Sequence, residues 1–176
     1  MGKISNPQIL KGKYVTLRDA EITDAAFILS LRTDEKKARY LHKTENNVEK
    51  QVEYLKRYKT LDNEWYFIFE NKKGVPLGTI RIYDVNGTTF THGSWLAVSN
   101  ATPQEAIEGE MLCKNYAFEE LGMKVLHFEV RKENTKVVNY HKTWGSKIVS
   151  ENDLDYFFEL SKEDFLKNKE KFKRWL

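Results

Sequence analysis

The sequence predicts an α+β fold: a mixed, mostly antiparallel sheet with a central parallel strand pair, flanked by helices. Three observations carry that expectation. An apolar run from Trp95 to Val98, a helical pattern opened by Pro103 and a second run from Val125 to Val130 follow one another closely. Strand, helix, strand in that order requires two parallel strands joined by a right-handed crossover. Upstream, Lys73-Gly74 and Asn86-Gly87 interrupt apolar alternation as hairpin turns do, the Asn-Gly pair being the stronger signal because both residues tolerate positive φ.

Taken in order, Lys13 to Asp19 reads as a strand, with Val15 and Leu17 alternating against Tyr14, Thr16 and Arg18. Thr23 suits the N-cap of a helix carrying Ala26, Phe27, Ile28, Leu29 and Leu31. A looser basic segment follows, and Asn47 opens a second helix in which Val48, Val52, Leu55 and Tyr58 fall near helical spacing. Three strands come next, Trp65 to Glu70, Leu77 to Val85 and Thr88 to Val98. Pro103 stands at a first helical position, where its missing N–H costs nothing, and the helix is expected to run to Leu121 with Gly122 as its cap. After the Val125 strand, a short helix runs from about Thr135 to Gly145. Lys147 to Ser150 and Tyr156 to Leu160 are two further strands, and Ser161-x-x-Asp164 opens a basic helix ending at Trp175.

Composition narrows the class. A chain of 176 residues, 31% charged and 40% apolar, reads as one domain over residues 1–176. No apolar run reaches the roughly 20 residues of a membrane span, and the first residues lack a secretory h-region, so no membrane association is expected. A lone cysteine, Cys113, fits a reducing cytoplasm and forms no internal disulfide. A net charge of +3, with both signs interspersed, does not indicate nucleic acid but suits a phosphorylated small ligand. No metal is expected, and the chain is read as a monomer or homodimer.

Read without a gap from Gly93 to Ser146, through GSWL, NYAFEELGM and EN(x)10G, the chain resembles the cofactor half of the GNAT superfamily of acetyl-CoA-dependent N-acetyltransferases. The branch it is most similar to contains the ribosomal-protein alanine acetyltransferases. That resemblance implies acetyl-CoA as co-substrate and a direct transfer to a primary amine. Such a reaction needs a pyrophosphate seat, a grip on the extended pantetheine arm and polarisation of the thioester carbonyl. A helix N-terminus, an open sheet edge and a backbone N–H supply these. In the family all three come from the fourth strand and the loop after it. Here that implies Leu96, Ala97, Val98, Gln104, Glu105, Ala106 and Ile107, with Asn134 either contacting the arm, capping the short helix or doing both.

The sequence departs from the family pattern in three places. The phosphate-loop positions usually held by Arg or Gln, Gly and a small residue fall on Ala101, Gln104 and Ala106. The usual tyrosine acid is replaced by His141, with Tyr140 beside it as the fallback donor to the departing thiolate. Ser146 stands where an aromatic is usual, which bears on packing. For the base that deprotonates the amine, His92 is the first choice and Glu129 the second, with water as a third route. Period two places His92 and Ser94 on one face of their strand. Cys113 reads as inert packing.

The acceptor is the least specified element, since the family acts on protein N-termini, polyamines, antibiotics and amino sugars. Through LRTDEKKARYL, TIRIYDV, RKENTKVVNYHK and DLDYFFELSKEDF the chain also resembles acetyltransferases of bacterial surface-glycan synthesis. That likeness implies a nucleotide-linked amino sugar. Arg32, Arg39, Tyr40, His42, Trp65 and Tyr83 would suit its diphosphate and base, or would equally serve as core and solvated rim. The altered loop and missing tyrosine leave a second class open: a module of the same fold that binds CoA without turnover.

Overall fold

The computed structural model describes residues 9–175, so the first part of the polar N-terminal stretch lies outside it. Its element order is β1 (Leu10–Lys11), β2 (Val15–Asp19), α1 (Ala25–Arg32), α2 (Val48–Tyr58), β3 (Trp65–Asn71), β4 (Pro76–Asn86) and β5 (Thr89–Ala97). There follow α3 (Pro103–Asn115), β6 (Val125–Arg131), α4 (Thr135–Thr143), β7 (Lys147–Glu151), β8 (Asp155–Ser161) and α5 (Lys162–Trp175). The strands form one eight-stranded sheet in the order β1-β2-β3-β4-β5-β6-β8-β7. Only β5 and β6 run parallel, as the α+β expectation requires. The two-residue β1 is an addition that no periodicity announces, so the strand expected as fourth is β5 here.

Both faces of the sheet are covered, and β3 shows why its sequence is continuously apolar. Trp65, Phe67 and Phe69 enter one core with Ile80, Met111, Phe118 and Phe158. Tyr66 and Ile68 point the other way, into a smaller core with Ile28, Leu55 and Tyr58 from α1 and α2. A strand buried on both sides loses the polar alternation of a half-exposed one. The N-terminal strand is tied to α3 by a carboxylate: Glu108 accepts from the amides of Lys13, Tyr14 and Val15 at 2.6, 2.7 and 2.8 Å. A Cβ on Gly12 would stand 2.5 Å from that carboxyl carbon, so glycine is what lets the chain pass.

Two local expectations change. The first helix begins after a 3-10 turn, Ile22–Asp24, where Glu21 and Asp24 form the capping box instead of Thr23. Asp24 is also held by Arg18 through two bonds of 2.7 and 2.9 Å. The helix from Pro103 stays α-helical to Asn115 and then widens into a π turn over Tyr116–Glu120. The extra residue in that turn lets Tyr116, Ala117 and Phe118 all enter the core. Asn47 does cap α2, accepting from the Lys50 amide at 3.1 Å.

Candidate active site

β5 keeps its pairing with β4 as far as Ala97, but it meets β6 only over Thr89–Thr91. Beyond Thr91 the two parallel strands part, and the segment from His92 to Ala97 presents an open edge. A bulge marks the change: Thr79 and Arg81 on β4 oppose Leu96 and Gly93 on β5. Ser94 sits in that bulge with φ 53°, and its carbonyl accepts from the Thr79 hydroxyl at 2.6 Å. The bulge breaks strict alternation, so the expected common face of His92 and Ser94 does not hold. Gly93 has a packing reason, because a Cβ there would meet the Tyr83 hydroxyl at 2.7 Å.

The open edge qualifies the cofactor residues one by one. The Val98 N–H donates to Leu77 of β4 at 2.7 Å and is therefore not free for the pantetheine arm. Alternation then turns the Ala97 peptide groups toward the open side, while the Leu96 side chain is buried. At the start of α3, Thr102 and Glu105 form a reciprocal capping box, at 2.8 Å to the Thr102 amide and 3.2 Å to the Glu105 amide. The Ala106 N–H bonds the Thr102 carbonyl at 3.1 Å. Pro103 has no N–H, so among these first residues only the Gln104 amide remains for an anion. Ile107 is half-buried in the next turn. Glu105 thus brings a carboxylate to the place where a pyrophosphate is expected. Asn134 stands at the N-cap of α4, but its side chain makes no capping bond among the described residues, which corrects the expected cap role.

His92, from β5, faces a buried polar cluster that the sequence does not announce. Its Nε2 lies 3.0 Å from Glu110 Oε1 on α3. One turn further along the helix, the Lys114 ammonium meets the same oxygen at 2.6 Å. The Tyr140 hydroxyl of α4 donates to Glu110 Oε2 at 2.7 Å. Glu110 and Lys114 are fully buried. Burial alone would raise the Glu110 carboxyl, but the Lys114 charge and the His92 bond outweigh it and hold it well below the usual carboxylate range. An ionised carboxylate only accepts, so His92 Nε2 is the donor, and in the neutral ring Nδ1 carries the lone pair. Nδ1 has no partner among the described residues.

His141 packs beside this cluster, 4.4 Å from Phe128 and 5.6 Å from His92 by ring centres. Burial, then the Lys114 charge, pushes its pKa well below the ordinary histidine value. An imidazole held neutral donates a hydrogen bond but is a poor proton donor, which weighs against the acid role expected of it. Tyr140 fares no better as an acid, since burial and its bond to Glu110 push its pKa up. Ser146 is buried beside Trp144, which is itself fully buried and stacked on Phe172 at 3.9 Å. Cys113 is buried with its thiol pushed up by burial, in keeping with packing. His92, Glu110 and His141 bring ligand-type atoms within 4.8 Å of one another, but Lys114 already supplies the positive charge a metal ion would bring.

The cluster adjoins a cleft of about 700 Å³. Arg32, Tyr40, His42 and Tyr83 line it as the sequence suggested, as do the two candidate bases His92 and Glu129, with Arg81, Asp84 and Arg131 in addition. Trp65 does not; it is buried against Tyr116. Arg39 instead lies over the Tyr40 ring, 5.3 Å from its centre. Arg131 is paired with Asp155 at 2.9 Å. Asp84 and Glu129 have no ion-pair partner among the described residues.

Residues 15–147 match the model of the acetyltransferase (GNAT) domain, and the chain belongs to that family of acetyl-CoA-dependent N-acetyltransferases. Among solved structures it is similar to apo FdhC, a nucleotide-linked sugar GNAT. The identity is 32%, the coverage 96% of this chain and 98% of that one, and the TM-score 0.86. The spermidine N-acetyltransferase from Vibrio cholerae, in complex with CoA and spermine, shares the fold at 17% identity and a TM-score of 0.79, covering 88% of this chain and 99% of that one. A GCN5-related N-acetyltransferase from Brucella melitensis does so at 16% and 0.77, with 96% and 85% covered. A search of curated sequences finds no match. No helix of the described residues is long and apolar enough to cross a membrane.

Proposed function

We propose that the protein moves the acetyl group of acetyl-CoA directly to the primary amine of a nucleotide-linked amino sugar. The observation that carries this reading is the two-signed charge of the cleft. Asp84 and Glu129 attract an ammonium, whereas Arg32 and Arg81 attract phosphate. A polyamine needs only the acids and is repelled by the guanidinium groups; an amino sugar on a nucleotide uses both. The likeness to a nucleotide-linked sugar GNAT points the same way.

In this reading the thioester lies along the open edge of β5. The Ala97 peptide holds the pantetheine arm, and its N–H is the donor candidate for the developing oxyanion. The Gln104 amide meets the pyrophosphate. His92 Nδ1 takes a proton from the amine, with Glu110 fixing the ring's tautomer. The amine nitrogen bonds to the thioester carbon, and the C–S bond then breaks. The thiolate leaves against a neutral His141 N–H and takes its proton from water.

A release assay for free CoA, run with nucleotide-linked amino sugars, tests this. Release is expected with at least one of them, and His92→Ala should lower kcat/KM about 10²–10⁴-fold while CoA still binds. The Glu105 carboxylate at the phosphate seat favours a second reading, a CoA-binding module without turnover. Thermal stabilisation by CoA together with no release from any amine would select it.

A further inference from the structure

We propose that a second pocket, opening beside the cleft, is the subsite for the acceptor's diphosphate. This rests on the amino-sugar reading above and gives that substrate's charged half a place. The pocket has a volume of about 290 Å³, and it meets the cleft at Arg32 and Arg81, which line both. Lys43 and Lys50 add two further cations; Arg81 is paired with Glu64 at 3.1 Å, and Lys50 with Glu45, the only acid lining the pocket. The N-terminus of α2 opens onto the same space through Asn47, Lys50 and Gln51, adding the positive end of an eleven-residue helix.

The second line of argument is an unmet hydrogen bond. Tyr66, from β3, is only 2% exposed and lines the pocket. Its hydroxyl donates to no acceptor among the described residues, and its near neighbour, the Arg32 guanidinium, is itself a donor. The Tyr54 hydroxyl is in the same state. Two buried phenols without acceptors are costly in a folded protein unless a ligand brings the oxygens. Arg81 lies over both rings, 5.5 and 5.3 Å from their centres, so the donors and the cation converge.

Arg32 sets the order along the substrate. Its Nε donates to the Thr44 hydroxyl at 2.7 Å, and its Nη1 to the Ser94 hydroxyl at 3.0 Å, in the bulge next to His92. An amine held at His92 therefore places a sugar ring over Arg32 and Arg81 and a diphosphate in the pocket beyond. The cations and the phenol donors match a phosphate oxygen array and offer nothing to a polyamine.

The test uses inorganic pyrophosphate as the probe, titrated by calorimetry into protein already saturated with CoA, so that the cofactor's phosphate seat is filled. Pyrophosphate is expected to bind, and Lys43→Ala/Lys50→Ala to weaken it by about tenfold or more. Tyr66→Phe is expected to weaken it with little loss of Tm, because the lost hydroxyl donated to no protein acceptor. Binding only in the absence of CoA, or equal binding in all variants, overturns the subsite. A kinetic arm separates the two readings. The lysine variant should raise KM for a nucleotide-linked amino sugar, but not for the same sugar without its nucleotide, and should leave the Kd of CoA unchanged. Turnover with equal KM in both proteins refutes the subsite and leaves the acetyltransferase reading standing. No turnover with any amino sugar refutes the reading on which the subsite rests.

Discussion

At His141 the ring is 3% exposed and packed against Phe128, so the charged form is disfavoured by burial before any neighbour acts. The folded proton affinity then lies below the unfolded one. The contribution of the neutral ring is complete above the ordinary value of 6.5 and is lost as the pH falls below it, because the unfolded chain takes up a proton that the folded chain refuses. The slope is about 1.4 kcal/mol per pH unit below that point. The wild-type Tm should therefore fall between pH ~7.5 and ~5.5 by more than that of His141→Phe. Parallel Tm curves for the two proteins, by calorimetry, would contradict a neutral His141. Glu110 behaves differently. Its carboxyl is held down by Lys114 and His92, so it stays ionised across that window and contributes no slope there.

The N-terminus of α3 and the end of β5 together form the expected cofactor seat, and Glu105 is its anomaly. Glutamine at that position keeps a capping-box side chain while removing the charge that faces a pyrophosphate. Glu105→Gln should therefore tighten CoA binding several-fold, an effect that shrinks with added salt, while Tm drops slightly as the helix loses a favourable N-terminal charge. Unchanged affinity in a titration at low salt would place the phosphates elsewhere. Much of this scale was legible beforehand. Pro103, Asn47 and the Asn86-Gly87 turn each mark an element by local chemistry, and the seven longer strands follow from alternation or a bounded apolar run. The bulge at Ser94 was not legible, because it is set by how β4 pairs with β5 and not by the β5 residues alone. His92 could be picked from its strand, but Glu110 and Lys114 could not be joined to it. They lie on another element, and in sequence they look like an ordinary i,i+4 pair. A stripe through Glu110, Lys114, Ala117 and Leu121 is the one hint that these charges face inward.

Over the whole molecule, the parting of β5 from β6 beyond Thr91 is the feature that, in the proposed reading, makes the sheet a binding device. It leaves one strand edge open to an extended thioester and sets the His92–Glu110 pair beside the cleft. In the proposed reading the cofactor approaches from the α3 side and the acceptor from the side of Arg32, Arg81 and Glu129, which line the cleft, so that two substrates would meet without competing for one surface. Hydrogen exchange with and without acetyl-CoA tests that division most directly. Protection is expected at Ala97 and over the first turn of α3 around Gln104, with β1 to β3 unchanged. Protection that leaves the β5 edge and the start of α3 exchanging as freely as before would contradict it.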